Sequence, residues 1–337
     1  ATILHLRYEY YVAVIVVLFS SAALAWIYDL IIRKMNHEGV KRPGEKKTEP
    51  VPDTRSRYVA LTVVGLIILI ITALSAQTTW IVAKEQLGMI GMNDDWADAL
   101  TWRDNNSPDP GINPLKIYEK EGFSYPPSSY GVLSWWDYGH WISYLANRIP
   151  ITTPFQNNLN PVAKFLISTD EEKAGEYANQ TGARYIIMDY EMISSKYPSI
   201  PLWAEGKAAR DQFQKYYYQQ SKTNPSQYEP ILTLKPDFFT SMVSRLYIFD
   251  GSMRSSTGSY LVKYTDAGME GERYPAVSSI VTQTPDQTRE ALSRGITPGT
   301  DIVSIQYTRP VPDVPALTRY RLVYESPTVV ASDELEE

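Results

Sequence analysis

The sequence predicts a membrane-anchored α/β protein, with two transmembrane helices followed by an external mixed α/β core domain and a small β-rich domain. Three observations predict this fold class: two long uncharged stretches near the N-terminus, alternating strand-like and helix-like segments in the middle, and short β-prone runs towards the C-terminus. The length of 337 residues allows roughly two domains.

Two apolar stretches, Tyr10–Tyr28 and Tyr58–Ala76, each run for 19 residues without a charge. About 20 apolar residues are needed to cross the hydrocarbon core of a bilayer, and the Tyr and Trp residues near the ends fit an interfacial aromatic belt. Buried helices of a large soluble core are the alternative interpretation. We predict transmembrane helices within residues 1–33 and 58–80.

The segment between these stretches, residues 34–57, is predicted to be a cytoplasmic basic loop. Eight Lys and Arg residues lie between positions 33 and 57, and short loops rich in Lys and Arg stay in the cytoplasm. Two crossings then place everything after residue 80 outside the cell. We therefore expect a multi-pass protein of the cell membrane with a large extracytoplasmic C-terminal part.

The external part changes character near residue 250. Residues 81–250 alternate between helix-like and strand-like segments, which predicts a mixed α/β core; the helices are expected over 94–111, 170–182 and 204–221, and the strands over 130–136, 183–189 and 243–251. Residues 251–337 contain short β-prone runs separated by Pro, Gly and Asp. This texture predicts a small β-rich peripheral domain.

The composition excludes several function classes. The net charge of −6 gives no basic bias towards nucleic acid, so no nucleic-acid partner is expected. The absence of cysteine excludes disulfides, zinc thiolates and thiol catalysis. The three histidines are too scattered along the chain to predict a metal cluster.

The stretch SWWDYGHW, residues 134–141, combines three tryptophans with one acid. Indole N–H groups only donate hydrogen bonds and a carboxylate only accepts them, whereas a hydroxyl does both. Trp135, Trp136 and Asp137 could therefore complete the hydrogen bonds of one alcohol if a turn brings them together, and Gly139 permits a turn. The alternative is an aromatic core plug in which Asp137 caps a helix that follows.

The stretch DYEMISSK contains Asp189, Met192 and Lys196 in the pattern D-x-x-M-x-x-x-K. On a helix these positions share one face, so they are candidates for a second part of the same site. The alternative is structural, with Asp189 as a helix cap and Met192 in the core.

Arg7 lies just outside the first apolar stretch. Its guanidinium group matches the oxygens of a phosphate, although an arginine there can also anchor a helix by snorkelling. His140, beside the tryptophans, is a second candidate for a phosphate contact.

The pentapeptide WWDYG, residues 135–139, resembles the signature of the oligosaccharyltransferase catalytic subunit, the membrane enzyme that N-glycosylates asparagine in Asn-x-Ser/Thr. The two preceding apolar stretches and the following GHWISYLANRIPITTPFQ are also similar to that family. The family has a second pocket motif at this place in the chain, and the D-x-x-M pattern looks most like the archaeal version of that motif. The resemblance covers essentially the whole chain, which would correspond to the C-terminal portion of the catalytic subunit.

The resemblance implies a glycosyltransferase that moves an oligosaccharide from a polyprenyl (pyro)phosphate to an acceptor polypeptide. It assigns six residues to the acceptor-peptide pocket: Trp135, Trp136, Asp137, Asp189, Met192 and Lys196. The first three would read the hydroxyl of the +2 Ser/Thr. Arg7 and His140 would contact the lipid-linked phosphate of the donor.

The chain has no Asp-x-Asp motif of the kind that commonly holds the metal of a glycosyl transfer. The resemblance implies that Mg²⁺ or Mn²⁺ is bound by acids in an N-terminal transmembrane region of the same protein, upstream of Ala1, so that no catalytic residue is expected here. Two other hypotheses remain open: a membrane-tethered, non-enzymatic module that binds peptides or glycans, and a structural envelope protein. Acidic metal ligands upstream of Ala1 would favour the enzyme over both.

Overall fold

The computed structural model describes residues 9–37, 54–86, 92–119, 121–221, 223–224, 227–269 and 272–328. These residues fall into two compact units that divide between Gly91 and Met92. Arg7 and residues 38–53 of the predicted basic loop lie outside the described residues.

The first unit contains two long helices that contact each other, α1 (Glu9–His37) and α2 (Thr54–Gln86). Their apolar windows, Val16–Lys34 and Arg57–Gln77, are long and apolar enough to cross a membrane, and 0% and 6% of these windows is buried within the protein. Helices in a soluble core would bury such side chains. The exposure therefore favours an apolar environment around them.

The second unit begins with α3 (Asp94–Asn106), which confirms the first predicted external helix. The Asn93 side chain accepts a hydrogen bond from the Trp96 backbone N–H, and two acidic residues occupy the first turn, where the helix dipole favours negative charge. The helix buries Trp96, Leu100 and Arg103 on one face. This face holds α3 against the core.

A parallel three-stranded sheet forms the centre of the predicted α/β core, in the order β2-β1-β3. Its strands and the intervening helices follow the chain as β1 (Gly131–Leu133), α4 (Gly139–Leu145), β2 (Ile149–Pro150), α5 (Leu159–Ile167), α6 (Glu171–Thr181) and β3 (Ala183–Ile186). Parallel strands need crossover connections, and the helices supply them. The mixed α/β prediction is confirmed.

The ends of α6 agree with the sequence prediction because they are set by local chemistry. Asp170 accepts a hydrogen bond from the Glu172 N–H at the start, and Gly182 ends the helix at φ 70°. This left-handed conformation suits glycine at a helix C-terminus. The following strand, predicted to run to Asp189, ends at Ile186.

Two of the predicted elements are wrong. In the predicted helix 204–221, helix α7 (Ser199–Glu205) ends early, α8 (Arg210–Phe213) is a single turn, and the QKYYYQQ run forms strand β4 (Gln214–Gln220). Aromatic residues favour strands, and β4 pairs along its length with antiparallel β5 (Tyr228–Leu234).

The predicted strand 243–251 is instead helical. The chain forms two short helices, α9 (Pro236–Thr240) and α10 (Met242–Tyr247). Tertiary contacts fix α10, because the Met242 N–H donates to the Ser168 carbonyl and the Arg245 guanidinium donates to the carbonyls of Pro315 and Ala316. These distant partners override the strand preference of the local sequence.

A five-stranded sheet, in the order β5-β4-β7-β6-β8, forms the second layer of strands. Its later part contains β6 (Ser259–Met269), β7 (Glu272–Gln283), α11 (Pro285–Arg294) and β8 (Thr300–Val303). The boundary expected at residue 250 falls within this sheet, because β4 and β5 precede it and β6 to β8 follow it. One hydrophobic cluster connects the three-stranded sheet to α5, α9 and α10 through Leu133, Phe165 and Phe238.

Candidate functional site

The two sequence motifs meet at one edge of the three-stranded sheet. Strand β1 ends at Leu133, and a 3₁₀ turn over Trp136–Tyr138 leads into α4. Strand β3 ends at Ile186, and a second 3₁₀ turn begins after Asp189. Because β1 and β3 are parallel, their carboxyl ends lie at the same edge, which is where α/β proteins place their ligands.

The three motif residues differ in exposure. Trp135 is 2% exposed and belongs to the hydrophobic core, whereas Trp136 and Asp137 are half-buried. The alternative of an aromatic core plug therefore describes Trp135. Asp137 does not cap α4, because the N-cap is Tyr138 and no side chain bonds there.

Gly139 directly follows the predicted turn, which the structure forms as the 3₁₀ turn over Trp136–Tyr138, and it serves close packing. Its φ of −57° is ordinary for a helix. A Cβ at this position would lie 2.3 Å from the Thr152 carbonyl oxygen and 2.7 Å from the Thr153 Cα. Only glycine lets α4 approach this backbone so closely.

Asp137 forms an ion pair with Lys196 of the second motif. The Lys196 Nζ lies 2.6 Å from Asp137 Oδ2 and 3.0 Å from Glu191 Oε2, and 4.1 Å from the centre of the Tyr138 ring. Burial lowers the pKa of Lys196, but its hydrogen bonds with the two carboxylates outweigh burial and raise that pKa overall. Lys196 is therefore a fixed cation beside the motif carboxylate.

Asp189 is buried and hydrogen-bonded by two donors. Its Oδ1 accepts from the Met192 N–H at 3.2 Å, and its Oδ2 accepts from the Trp96 indole N–H at 3.0 Å. Burial raises the pKa of Asp189, although hydrogen bonding with Tyr138 and Trp96 and the charge of Lys196 oppose the shift. The Trp96 ring also stacks on Tyr138 at 4.2 Å, so α3 supports both motifs.

The second motif is not one helical face, contrary to the geometry expected of D-x-x-M-x-x-x-K. A 3₁₀ turn covers only Tyr190–Met192, and the Lys196 N–H returns to the Glu191 carbonyl at 2.8 Å. Met192 is 0% exposed and lies in the core. The cap-and-core alternative therefore describes Asp189 and Met192, whereas Lys196 reaches Asp137 through the turn.

Only one of the two predicted donor-side cations can be located, because Arg7 lies outside the described residues. His140 is exposed in the first turn of α4, and its ring meets the edge of Phe155 at 5.7 Å between centroids. Phe155 and Tyr144 are 77% and 71% exposed. His140 thus belongs to an exposed aromatic surface next to the motif.

Three residues of this site were not predicted as site residues: Trp96, Tyr138 and Glu191. Trp96 lies in the predicted helix 94–111 without an assigned role, and the other two lie inside the motifs without a role. Their neighbours come from positions as far as 93 residues away, as between Trp96 and Asp189. Within the ranges that the structure describes, no three His, Asp or Glu side chains come together as a metal site.

Comparison with known proteins identifies the class of protein. Residues 93–193 match the family model of the AglB core domain. This range includes α3, WWDYG and the second motif as far as Ile193, whereas Lys196 lies three residues beyond it. The chain thus contains an AglB core domain, and the oligosaccharyltransferase resemblance predicted from WWDYG is confirmed.

Two curated relatives show how far the similarity extends. The chain is 30% identical over 276 residues to dolichyl-phosphooligosaccharide-protein glycotransferase 3 of Archaeoglobus fulgidus, covering 73% of this chain and 30% of that protein. It is 26% identical over 293 residues to the dolichyl-monophosphooligosaccharide--protein glycotransferase AglB of Haloferax volcanii, covering 76% and 26%. The chain spans less than a third of the length of these relatives.

Solved structures of A. fulgidus oligosaccharyltransferase share the fold. One, the AglB complex with an inhibitory peptide and a dolichol-phosphate, has a TM-score of 0.50 and 28% identity and covers 78% of this chain and 32% of that one. Another, tethered to an acceptor peptide with the NVT sequon, has a TM-score of 0.51 and 28% identity and covers 78% and 33%.

Proposed function

We propose that this chain is the sequon-reading C-terminal part of an oligosaccharyltransferase. The whole enzyme transfers an oligosaccharide from a lipid (pyro)phosphate carrier to the asparagine of Asn-x-Ser/Thr, and this part binds the hydroxyl of the +2 residue. One observation carries the proposal: the half-buried carboxylate of Asp137 is paired with Lys196 and follows the half-buried Trp136 directly in the chain.

The geometry suits one alcohol. Lys196 occupies Asp137 Oδ2, and among the described residues no hydrogen bond involves Asp137 Oδ1 or Trp136 Nε1. A hydroxyl can donate to the first and accept from the second. A site that hydrogen-bonds a hydroxyl rejects a ligand without one, since its polar groups are then left unpaired.

The other predicted pocket residues support this pair. Trp135 is buried, so we assign it the role of fixing the end of β1 from which Trp136 and Asp137 project. Asp189 and Met192 fix the turn that carries Lys196. Lys196 is the one member of the second motif that touches Asp137.

The partners follow from the relatives. Similar structures contain an inhibitory peptide with a dolichol-phosphate, or an acceptor peptide, which supports a polypeptide acceptor and a lipid-linked donor for this protein. We assign Arg7 and His140 to the phosphate of that donor. The relatives' names as glycotransferases support an enzyme over a non-enzymatic binding module.

The metal of the reaction is assigned to other parts of the enzyme. Among the described residues, no three His, Asp or Glu side chains are grouped to hold an ion. Because of the family resemblance, we assign Mg²⁺ or Mn²⁺ to residues outside this chain. Bound there, the metal would neutralise charge on the departing lipid phosphate. The residues of this chain bind and orient the acceptor.

The two long helices support our assignment of the chain to the cell membrane. Their exposed apolar windows match the thickness of a bilayer, and the basic loop between them favours the cytoplasm. The second unit, which carries the site, then lies outside the cell. This is the side on which we propose that the acceptor is met.

Asp137→Ala tests the proposed function. In the full-length enzyme, loss of the carboxylate leaves the +2 hydroxyl without its acceptor, which costs about 1–3 kcal/mol. Binding of an Asn-x-Thr peptide should weaken roughly tenfold or more, measured by competition or calorimetry. A peptide with alanine in place of threonine should bind the wild type poorly and be almost indifferent to the change.

Asp98→Ala is the matched control, because Asp98 is an exposed aspartate on α3 and its removal should leave both peptides unaffected. If Asp137→Ala weakened both peptides equally, or unfolded the protein without changing selectivity, Asp137 would be structural and the proposal would fail.

A further inference from the structure

Glu191 is a half-exposed carboxylate at the centre of the site, although neither motif pattern includes it. Its side chain is 48% exposed. One of its oxygens, Oε2, accepts from Lys196 Nζ at 3.0 Å and from the Tyr138 hydroxyl at 3.2 Å. Glu191 therefore contacts one residue from each motif.

Lys196 pairs with the carboxylates of Asp137 and Glu191. Its ammonium group lies 2.6 Å from Asp137 and 3.0 Å from Glu191, and the Tyr138 ring faces it at 4.1 Å. Asp189, the third acid nearby, is committed to Trp96 and the Met192 amide. One cation thus serves Asp137 and Glu191, and this trio keeps a net charge of −1.

Because Lys196 pairs with both Asp137 and Glu191, it neutralises Asp137 less completely than it would in a simple ion pair. Paired with Asp137 alone, the ammonium would neutralise that carboxylate and could bridge both of its oxygens. The ammonium contacts Asp137 through Oδ2 and also contacts Glu191 and the Tyr138 ring. Sharing one cation between two carboxylates leaves the charge of Asp137 only partly compensated. A hydrogen bond to an ionised acceptor is roughly twice as strong as one between neutral groups.

We propose that Glu191 is a positioning residue of the acceptor pocket, which holds Lys196 away from Asp137 Oδ1 so that this oxygen accepts the hydroxyl of the +2 residue. This inference rests on the proposed function, since it requires that Asp137 bind that hydroxyl. Glu191 acts through Lys196 and contacts neither the acceptor nor the reacting atoms.

Glu191→Gln tests the inference, because it removes the charge and keeps the shape. In the full-length enzyme we expect the KM for an Asn-x-Thr peptide to rise about three- to tenfold, corresponding to weakening of one charge-assisted hydrogen bond. The kcat should change less than twofold, because Glu191 touches no reacting atom. Glu191→Asp should recover part of the loss, and Glu176→Gln, at an exposed glutamate of α6, is the matched control.

A double-mutant cycle with Lys196→Met separates positioning from a structural role. Without the ammonium, Glu191 has nothing to hold, so Glu191→Gln should add no further rise in KM. A structural role would instead add its full effect in that background and lower the Tm. If Glu191→Gln does not fold, Glu191→Asp takes its place in the cycle.

An unchanged KM in Glu191→Gln, or additivity with Lys196→Met, overturns the inference. Failure of the proposed function has a different signature, because Asp137→Ala would then leave the preference for threonine over alanine intact. If Asp137→Ala loses the preference for threonine as expected but Glu191→Gln leaves the KM unchanged, only the role of Glu191 is rejected.

Discussion

Trp96 is the residue through which α3 stabilises both motifs. Its indole N–H donates to the buried Asp189 at 3.0 Å, and its ring stacks on Tyr138 at 4.2 Å. Burial raises the pKa of Asp189 because water no longer solvates the charged form. The two donors, Trp96 and the Met192 amide, partly compensate the ionised carboxylate.

Trp96→Phe should therefore destabilise the second unit in a pH-dependent way. The change keeps a smaller aromatic ring, which adds a packing cost that does not depend on pH, and removes the donor. Loss of the donor costs about 1–3 kcal/mol when Asp189 is ionised. A carboxyl with a raised folded-state pKa contributes stability that is present below the unfolded pKa and is lost as pH rises through the folded pKa. The substitution raises that pKa further, so the deficit should grow with pH above about 4.

Urea unfolding from pH 3.5 to pH 8 measures this deficit. The variant and the wild type should differ least at the acid end, where Asp189 is protonated in both. A deficit that is constant with pH would mean that Trp96 contributes only packing and that its hydrogen bond to Asp189 has no energetic weight.

The helices and strands that were predicted correctly are those that neighbouring residues in the sequence determine. Helix α6 was predicted because Asp170 and Gly182 define its ends, and the two apolar helices because their length and composition suffice. Strand β4 and helix α10 were not predicted, because β5 and the distant carbonyls of Pro315 and Ala316 decide their structure.

The same limit applies to the site. WWDYG predicted the location of the site and its central carboxylate, since those residues adjoin in sequence. The pairing of Asp137 with Lys196 depends on a turn after β3 that the helical spacing did not suggest, and Trp96 reaches Asp189 across 93 positions. Contacts between distant segments carry no signature in the sequence of either one.

The orientation of α1 and α2 is testable because the chain has no cysteine of its own. A single cysteine introduced at Glu45, in the basic loop, should react with an impermeant maleimide only from the cytoplasmic side. One introduced at Glu205, at the end of α7, should react only from outside. After permeabilisation both should react, and the reverse pattern in intact cells would show that the proposed orientation is wrong.

For the molecule as a whole, we propose one task. The candidate site has the carboxylate of Asp137 and the indole of Trp136 near the carboxyl edge of the three-stranded sheet, and we propose that they select the acceptor without taking part in bond breaking. We assign departure of the lipid carrier and attack by the asparagine to other parts of the enzyme. This chain spans less than a third of the length of its relatives. Recognition of the +2 hydroxyl and transfer of the oligosaccharide would then depend on each other within one protein.

Transfer by the full-length gene product shows whether the enzyme glycosylates asparagine and whether the hydroxyl of the +2 residue is required. The purified protein would be given a dolichol-phosphate-linked oligosaccharide, in mono- and pyrophosphate forms, with Mg²⁺ or Mn²⁺ and a fluorescent Asn-x-Thr peptide. We expect a glycopeptide whose sugar is on the asparagine, at least a hundredfold less product when alanine replaces threonine, and none when glutamine replaces asparagine. Product formed equally from the threonine and alanine peptides, or no product with either carrier from folded protein, would contradict the account.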